Sequence, residues 1–193
     1  MSVFDKAVQV VLVHEGGLVD NKKDPGGVTN FGVSLRYVLD AVKRDGHLSA
    51  FFDFDHSGIV NADDIRKMTR DDAVRVYKTM WWDAQHYERL VDQQVATKVF
   101  DSAVNMGPSM AHKLAQRATN DLGYKLVEDG NLGPLSCNAI NACSAREWLL
   151  TYCMRLRGFY DDLVKQHPDF AGFIDGWHRR ANWPFGEPGA YVA

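Results

Sequence analysis

Glu15 and Asp24 each stand beside a double glycine in the stretch HEGGLVDNKKDPGGVTNFGVS, residues 14–34. A pair of carboxyl groups in contrasting settings suits acid–base bond cleavage. Glycoside hydrolysis needs one carboxylic acid to protonate the departing oxygen, and a second carboxylate to activate water or to attack the sugar. The acid works best in an apolar setting, where it keeps its proton near neutral pH, while its partner works best ionised. Glu15 closes an apolar helical pattern and Asp24 lies in a Gly/Pro loop, so the two offer those settings. The same residues also make ordinary local structure. Asp-Pro-Gly-Gly is good turn chemistry, and a Glu before Gly-Gly can be a solvated helix end. A carboxylate at a helix C-terminus opposes the macrodipole, which points to a use beyond local stability. Asp20 is a weaker rival for the second carboxylate.

A second oxygen-rich pattern is DFDHSGIVNADD, residues 53–64. Asp53, Asp55 and Ser57 fall at positions one, three and five of a calcium loop, Gly58 at the sharp turn, and Ile59 where a backbone carbonyl is used. Asn61 takes position nine, and Asp64 stands at position twelve in place of the usual Glu. The expectation is a structural Ca2+ held by Asp53, Asp55, Ser57, Ile59, Asn61 and Asp64; the alternative is a solvated Asp-rich loop. Tyr77, Trp81 and Trp82 are candidates to line a sugar cleft, since aromatic faces suit pyranose rings, but core packing serves two of the three as well. Asn105 is a candidate for an N-acetyl group or for capping before Gly107. Arg179 and Arg180 are candidates for a peptide contact or for a solvated face. His14 neighbours Glu15, but adjacent helical residues point apart.

The elements that must position these groups are helical. Apolar residues at Val3, Phe4, Ala7, Val8, Val11 and Leu12 predict a helix over 3–14, with Ser2 and Asp5 as a capping box and Gly16 and Gly17 as its stop. Residues 16–33 read as loop or short hairpin. A second helix starts at the cap Ser34 and stops at Gly46. Thr69 and Asp72 form another capping box, with Ala73, Val74, Tyr77 and Trp81 as the stripe behind it. Further helices are expected up to Gly107, over 109–123, from the cap Ser144 with Glu147 at the reciprocal position, and over 169–183. The fold class is therefore all-α with a small hairpin region near residues 16–33, and the tail after 184 is loosely held.

The net charge of −3 argues against a nucleic-acid binder working by phosphate neutralisation. Cys137, Cys143 and Cys153 make an odd count without paired spacing, so reduced thiols are expected rather than a disulfide framework. The N-terminus lacks a basic n-region and Asp5 and Lys6 interrupt its apolar stretch, so it does not read as a signal peptide. No run reaches the ~20 apolar residues of a membrane span. Synthesis in the cytoplasm is expected, with release or delivery needed for any target in the periplasm or cell wall. A monomer is expected.

The motifs H-E-G-G at 14–17, D-P-G-G at 24–27 and T-N-F-G at 29–32 resemble the start of glycoside hydrolase family 108, the peptidoglycan muramidases of phage endolysins and bacterial cell-wall enzymes. YKTMWW at 77–82 is similar to that family's aromatic helix. FDSAVNMG at 100–107 and EDGNLGPLS at 128–136 resemble the peptidoglycan-binding region that accompanies it, and GWHRRANW at 176–183 fits its ending. The resemblance covers most of the chain. It implies a single lysozyme-like domain over 1–193, with a catalytic region of about 1–95 and a helical binding-type region of about 96–183 packed on it. It implies that Glu15 is the catalytic acid and bacterial peptidoglycan the partner, and that no cofactor is needed for the chemistry. The order Glu, Asp, Thr also resembles phage-type lysozymes. That order maps to Asp24 and Thr29 here, with one residue fewer between them than is usual there and Asn30 as a substitute. Two rival classes are a non-catalytic peptidoglycan-binding or secretion-accessory protein, and a calcium-regulated interaction module.

Overall fold

The computed structural model describes residues 3–20 and 27–185. The architecture is all-α and lysozyme-like, and the only strands among the described residues are two short ones. The chain forms two compact units, Leu12–Lys78 on one hand and Met1–Val11 with Thr79–Ala193 on the other. Ser2, Asp24 and the tail beyond Phe185 lie outside the described residues.

Helix α1, Val3–Glu15, has Phe4, Ala7, Val8, Val11 and Leu12 buried, the stripe its apolar spacing requires. Gly16, with φ +73°, ends it in the left-handed conformation that favours glycine at C′. In the unit of residues 12–78, β1 (Thr29–Asn30) pairs antiparallel with β2 (Val33–Ser34). Val19 forms a further bridge to Thr29. The Ser34 side chain accepts from the Tyr37 amide and starts α2, Leu35–Arg44. That helix ends at Asp45 rather than Gly46, because Gly46–Leu48 continues as a 3-10 turn into a short α3, Ser49–Phe52. Helix α4, Ala62–Lys67, carries an Asn61/Asp64 capping box, and α5, Arg70–Tyr77, carries the Thr69/Asp72 box. Val28, Val33, Val38, Phe52, Ile65, Val76 and Tyr77 are buried in this unit.

A π-helical turn, Lys78–Asp83, follows α5 directly. In the larger unit Trp82 is a core residue, with ring centroids 5.5 Å from Phe4, 5.8 Å from Tyr87 and 5.4 Å from Phe100 in edge-on packing. Helices α6 (Gln93–Met106) and α7 (Pro108–Asp121) pack against each other and, beyond α8 (Pro134–Ala142), against α9 (Ala145–Gln166). Helix α10 (Ile174–Asn182) lies on α9. Ser144 stands at the start of α9, but its side chain makes no capping bond; the Trp148 amide donates to the Ser144 carbonyl at 2.9 Å, and the Trp148 side chain is buried. The Trp148 indole N–H donates to Thr119 Oγ1 at 2.8 Å, which satisfies a donor that burial would otherwise strand.

His112 links two segments of this unit. Its Nδ1 lies 3.0 Å from the Gly130 carbonyl oxygen, and its Nε2 lies 2.9 Å from the Tyr87 hydroxyl. A carbonyl only accepts, so Nδ1 carries the hydrogen and the Tyr87 hydroxyl donates to Nε2. That ring is neutral, and burial lowers its pKa below the ordinary 6.5, the Gly130 bond working the other way. The three cysteines are free thiols, Cys137 and Cys153 buried and Cys143 half-buried. No helix among the described residues is long and apolar enough to cross a membrane.

Candidate active site

Glu15 is the last residue of α1 and is half-buried. Its Oε1 is withdrawn from solvent. Its Oε2 packs on the hairpin turn: a Cβ built on Gly32 would lie 2.7 Å from Oε2 and 2.7 Å from Cγ. The same Cβ would lie 2.5 Å from the Tyr77 hydroxyl oxygen. Only glycine fits between these two side chains.

The turn itself is unusual in sequence. Asn30 and Val33 are register partners, so Phe31 and Gly32 form a two-residue loop, with φ +47° and +79°. Positive φ at both loop residues is the pattern of a type I′ turn, which matches the strand twist and strongly prefers Asn-Gly or Asp-Gly. Phe31 in the left-handed region costs about 1–2 kcal/mol relative to a residue suited to it. The Tyr77 hydroxyl donates to the Phe31 carbonyl at 2.9 Å. The Asn30 side-chain amide donates to the Ile65 and Met68 carbonyls at 3.0 and 3.2 Å, closing the C-terminal end of α4.

Glu15 and Tyr77 thus meet at Gly32, with Thr29 and Asn30 on the strand that leads into that turn, while Trp81 and Asn105 belong to the other unit. Thr29 is half-buried and pairs with Val19 and Ser34. Tyr77 is 1% exposed, so its ring offers no stacking face to a sugar; its hydroxyl serves the turn instead. Asn30 is buried with both amide hydrogens given to backbone carbonyls, which makes it an anchor of the hairpin. Asp20 accepts from Arg66 Nε at 2.8 Å, an ion pair that employs the rival carboxylate elsewhere. Asp24 lies outside the described residues.

Asn105 sits in a polar cluster of the larger unit. Its Nδ2 donates to the Tyr160 hydroxyl at 2.6 Å, and its Oδ1 accepts from Arg180 Nη1 at 3.2 Å. Arg180 is neither solvated nor free for a peptide: its Nη2 and Nε fork onto the buried Asp101 carboxylate at 2.8 and 3.0 Å. The buried Lys98 ammonium donates to the Arg180 and Ala181 carbonyls at 2.6 and 2.9 Å and caps α10. Burial pulls the Lys98 pKa down to about 8, and the nearby Cys153 and Asp101 oppose that fall. No sequence pattern singled out Lys98, Asp101 or Arg180 as one network, because the partners are far apart in the chain.

The 53–64 loop brings carboxylate oxygens of Asp53, Asp55 and Asp64 within 4.8 Å of one another. Gly58, φ +82°, gives its N–H to Asp53 Oδ2 at 2.9 Å. Ser57 N–H donates to both Asp53 and Asp55 at 3.0 Å. Hydrogen bonding from Ser57, and then from the Lys67 ammonium at 3.0 Å, holds the Asp55 pKa at about 2. The Ile59 carbonyl accepts from Asn61 Nδ2 at 2.9 Å and from Ser57 Oγ at 3.2 Å, so the expected ligand oxygens share one loop.

Residues 8–107 match the family described as glycosyl hydrolase 108. The chain belongs to that family. Residues 110–182 match a second family, described as a predicted peptidoglycan domain. With both matches on one chain, this is a glycoside hydrolase acting on peptidoglycan. The solved structure of SagA from Brucella abortus shares the fold, with a TM-score of 0.68 and 24% identity over 93% of this chain and 89% of that one. No curated protein matches. The family-108 match holds Glu15 and the hairpin, which are the residues the geometry brings together.

Proposed function

We propose that the chain is an N-acetylmuramidase, cleaving the β-1,4 bond between N-acetylmuramic acid and N-acetylglucosamine with Glu15 as general acid. The observation that carries this reading is the Glu15 carboxyl, one oxygen withdrawn from solvent and the other seated on the glycine of a tight turn. In this reading the Glu15 carboxyl gives its proton to the glycosidic oxygen as the bond from that oxygen to the sugar's C1 breaks. Asp24 activates a water that supplies hydroxide to C1 and takes up its proton, and the Thr29 hydroxyl orients that water. Asn30 and Tyr77 support the hairpin rather than touch the sugar. The enzyme would act in the periplasm or cell wall, where its substrate lies. Mass spectrometry of digested peptidoglycan tests the bond. New reducing ends on N-acetylmuramic acid are expected; new reducing ends on N-acetylglucosamine would make the enzyme a glucosaminidase.

The Asp53, Asp55 and Asp64 carboxylates fit Ca2+, with Ser57, the Ile59 carbonyl and Asn61 completing an all-oxygen set. Three carboxylates so close favour a cation, and the Lys67 ammonium already occupies part of that role at Asp55. Bound there, Ca2+ would be structural, fixing the segment ahead of α4.

A further inference from the structure

We propose that the Tyr77 hydroxyl is a positioning group for Glu15, acting through the Phe31–Gly32 turn; this rests on reading Glu15 as the general acid. A general acid must present its proton to one oxygen atom, so the carboxyl's placement matters to a fraction of an ångström. Here the surface that sets the placement is the Gly32 backbone, against which Glu15 Oε2 and Cγ both pack. The hydroxyl of Tyr77 crowds the same glycine and donates to the carbonyl of the residue before it. The turn is thus gripped by a side chain that cannot swing away, because Tyr77 is buried at the end of α5.

The turn needs that grip. Its strands are two residues each, and its first loop residue is a left-handed Phe where Asn, Asp or Gly is preferred. Strained backbone persists only where its surroundings over-determine it, and such strain gathers at functional sites. Asn30 anchors the strand through Ile65 and Met68, but its bonds fix β1 and not the loop. The Tyr77 hydroxyl bonds the loop itself. The aromatic ring fills the core, whereas the hydroxyl serves the turn, so the two roles are separable by removing one atom.

The experiment is a double-mutant cycle on purified peptidoglycan with Tyr77→Phe and Phe31→Asn. Tyr77→Phe keeps the buried ring and is expected to lower kcat about tenfold with KM within about twofold, since a donor acting through position costs turnover rather than affinity. Phe31→Asn gives the loop the residue its turn type prefers, so the turn holds itself. In that background Tyr77→Phe is expected to cost less than about threefold. An unchanged kcat in Tyr77→Phe, a loss confined to KM, or the same tenfold loss in both backgrounds would overturn the proposal. Amide exchange of the hairpin residues gives a readout independent of turnover: Tyr77→Phe should speed it about tenfold in the wild-type background and hardly at all beside Phe31→Asn. Equal exchange in all four proteins also overturns it. Failure of the underlying reading looks different: Glu15→Gln would then digest walls like the wild type, whatever Tyr77→Phe does.

Discussion

Gly32→Ala is the smallest change that disturbs the acid directly. The added methyl meets two penalties. Gly32 has φ +79°, a conformation that costs a non-glycine residue about 1–2 kcal/mol. Its Cβ would then stand 2.7 Å from Glu15 Oε2, about 0.7 Å short of the 3.4 Å at which ordinary contact begins. Overpacking of this kind costs roughly 1–3 kcal/mol. Together the loss is about 2–5 kcal/mol, which a domain in the upper part of the ~5–15 kcal/mol stability range survives. The carboxyl must retreat by most of that 0.7 Å, and a misplacement of ~1 Å can cost 10²-fold in rate. The expected result is a folded protein with a denaturation midpoint clearly lowered and kcat on purified peptidoglycan down between about tenfold and 10²-fold. Tyr77→Phe added to Gly32→Ala removes the closest contact, so it should recover part of the stability and none of the rate. A Gly32→Ala enzyme with wild-type kcat would refute the claim that this glycine seats the acid.

Other outcomes follow from the same geometry. Calcium at millimolar concentration should raise the melting temperature, and Asp53→Ala should abolish the rise; the same melting curve with calcium and with chelator would remove the metal from the account. His112 is neutral in the fold with its pKa lowered, so the unfolded chain takes up the proton first as pH falls through 6.5. Stability should therefore be complete above that value and drop below it, by at most about 1.4 kcal/mol per pH unit from this one site. His112→Asn should flatten the melting temperature between pH 7 and 5, and an unchanged slope would assign the effect elsewhere. Arg180→Met removes the forked ion pair from the buried Asp101 carboxylate and should destabilise by about 3–5 kcal/mol in chemical denaturation. A loss below 1 kcal/mol would show that Asp101 gives up its charge instead.

Much of this was legible in the residues. The apolar spacing of α1, the Gly16 stop and the Thr69–Asp72 box are local signals, and each forms as such. The Asp-Xaa-Asp-Xaa-Ser-Gly pattern likewise draws its carboxylates together within one loop. What stayed hidden depends on contacts between distant residues. The T-N-F-G motif was visible, yet nothing local shows that Gly32 is squeezed between residues 15 and 77. Tyr77 looked like a sugar platform because aromatic spacing on a helix cannot tell a cleft from a core; its hydroxyl's partner lies 46 residues away. Asn30 and Asn105 looked like ligand groups because an amide's partners are set by tertiary packing, and here each bonds protein groups. The Ser144–Glu147 signature marks the helix start, although no side-chain capping bond forms there.

The central claim is that the Glu15 carboxyl delivers the proton. Glu15→Gln keeps the shape and removes the acid, and general acid catalysis is worth typically 10²–10⁴-fold. The measurement is the rate of new reducing ends from purified peptidoglycan, at equal concentrations of folded wild type and variant. The account predicts a fall of at least 10²-fold with wall binding retained. A Glu15→Gln protein that releases reducing ends at the wild-type rate would contradict it.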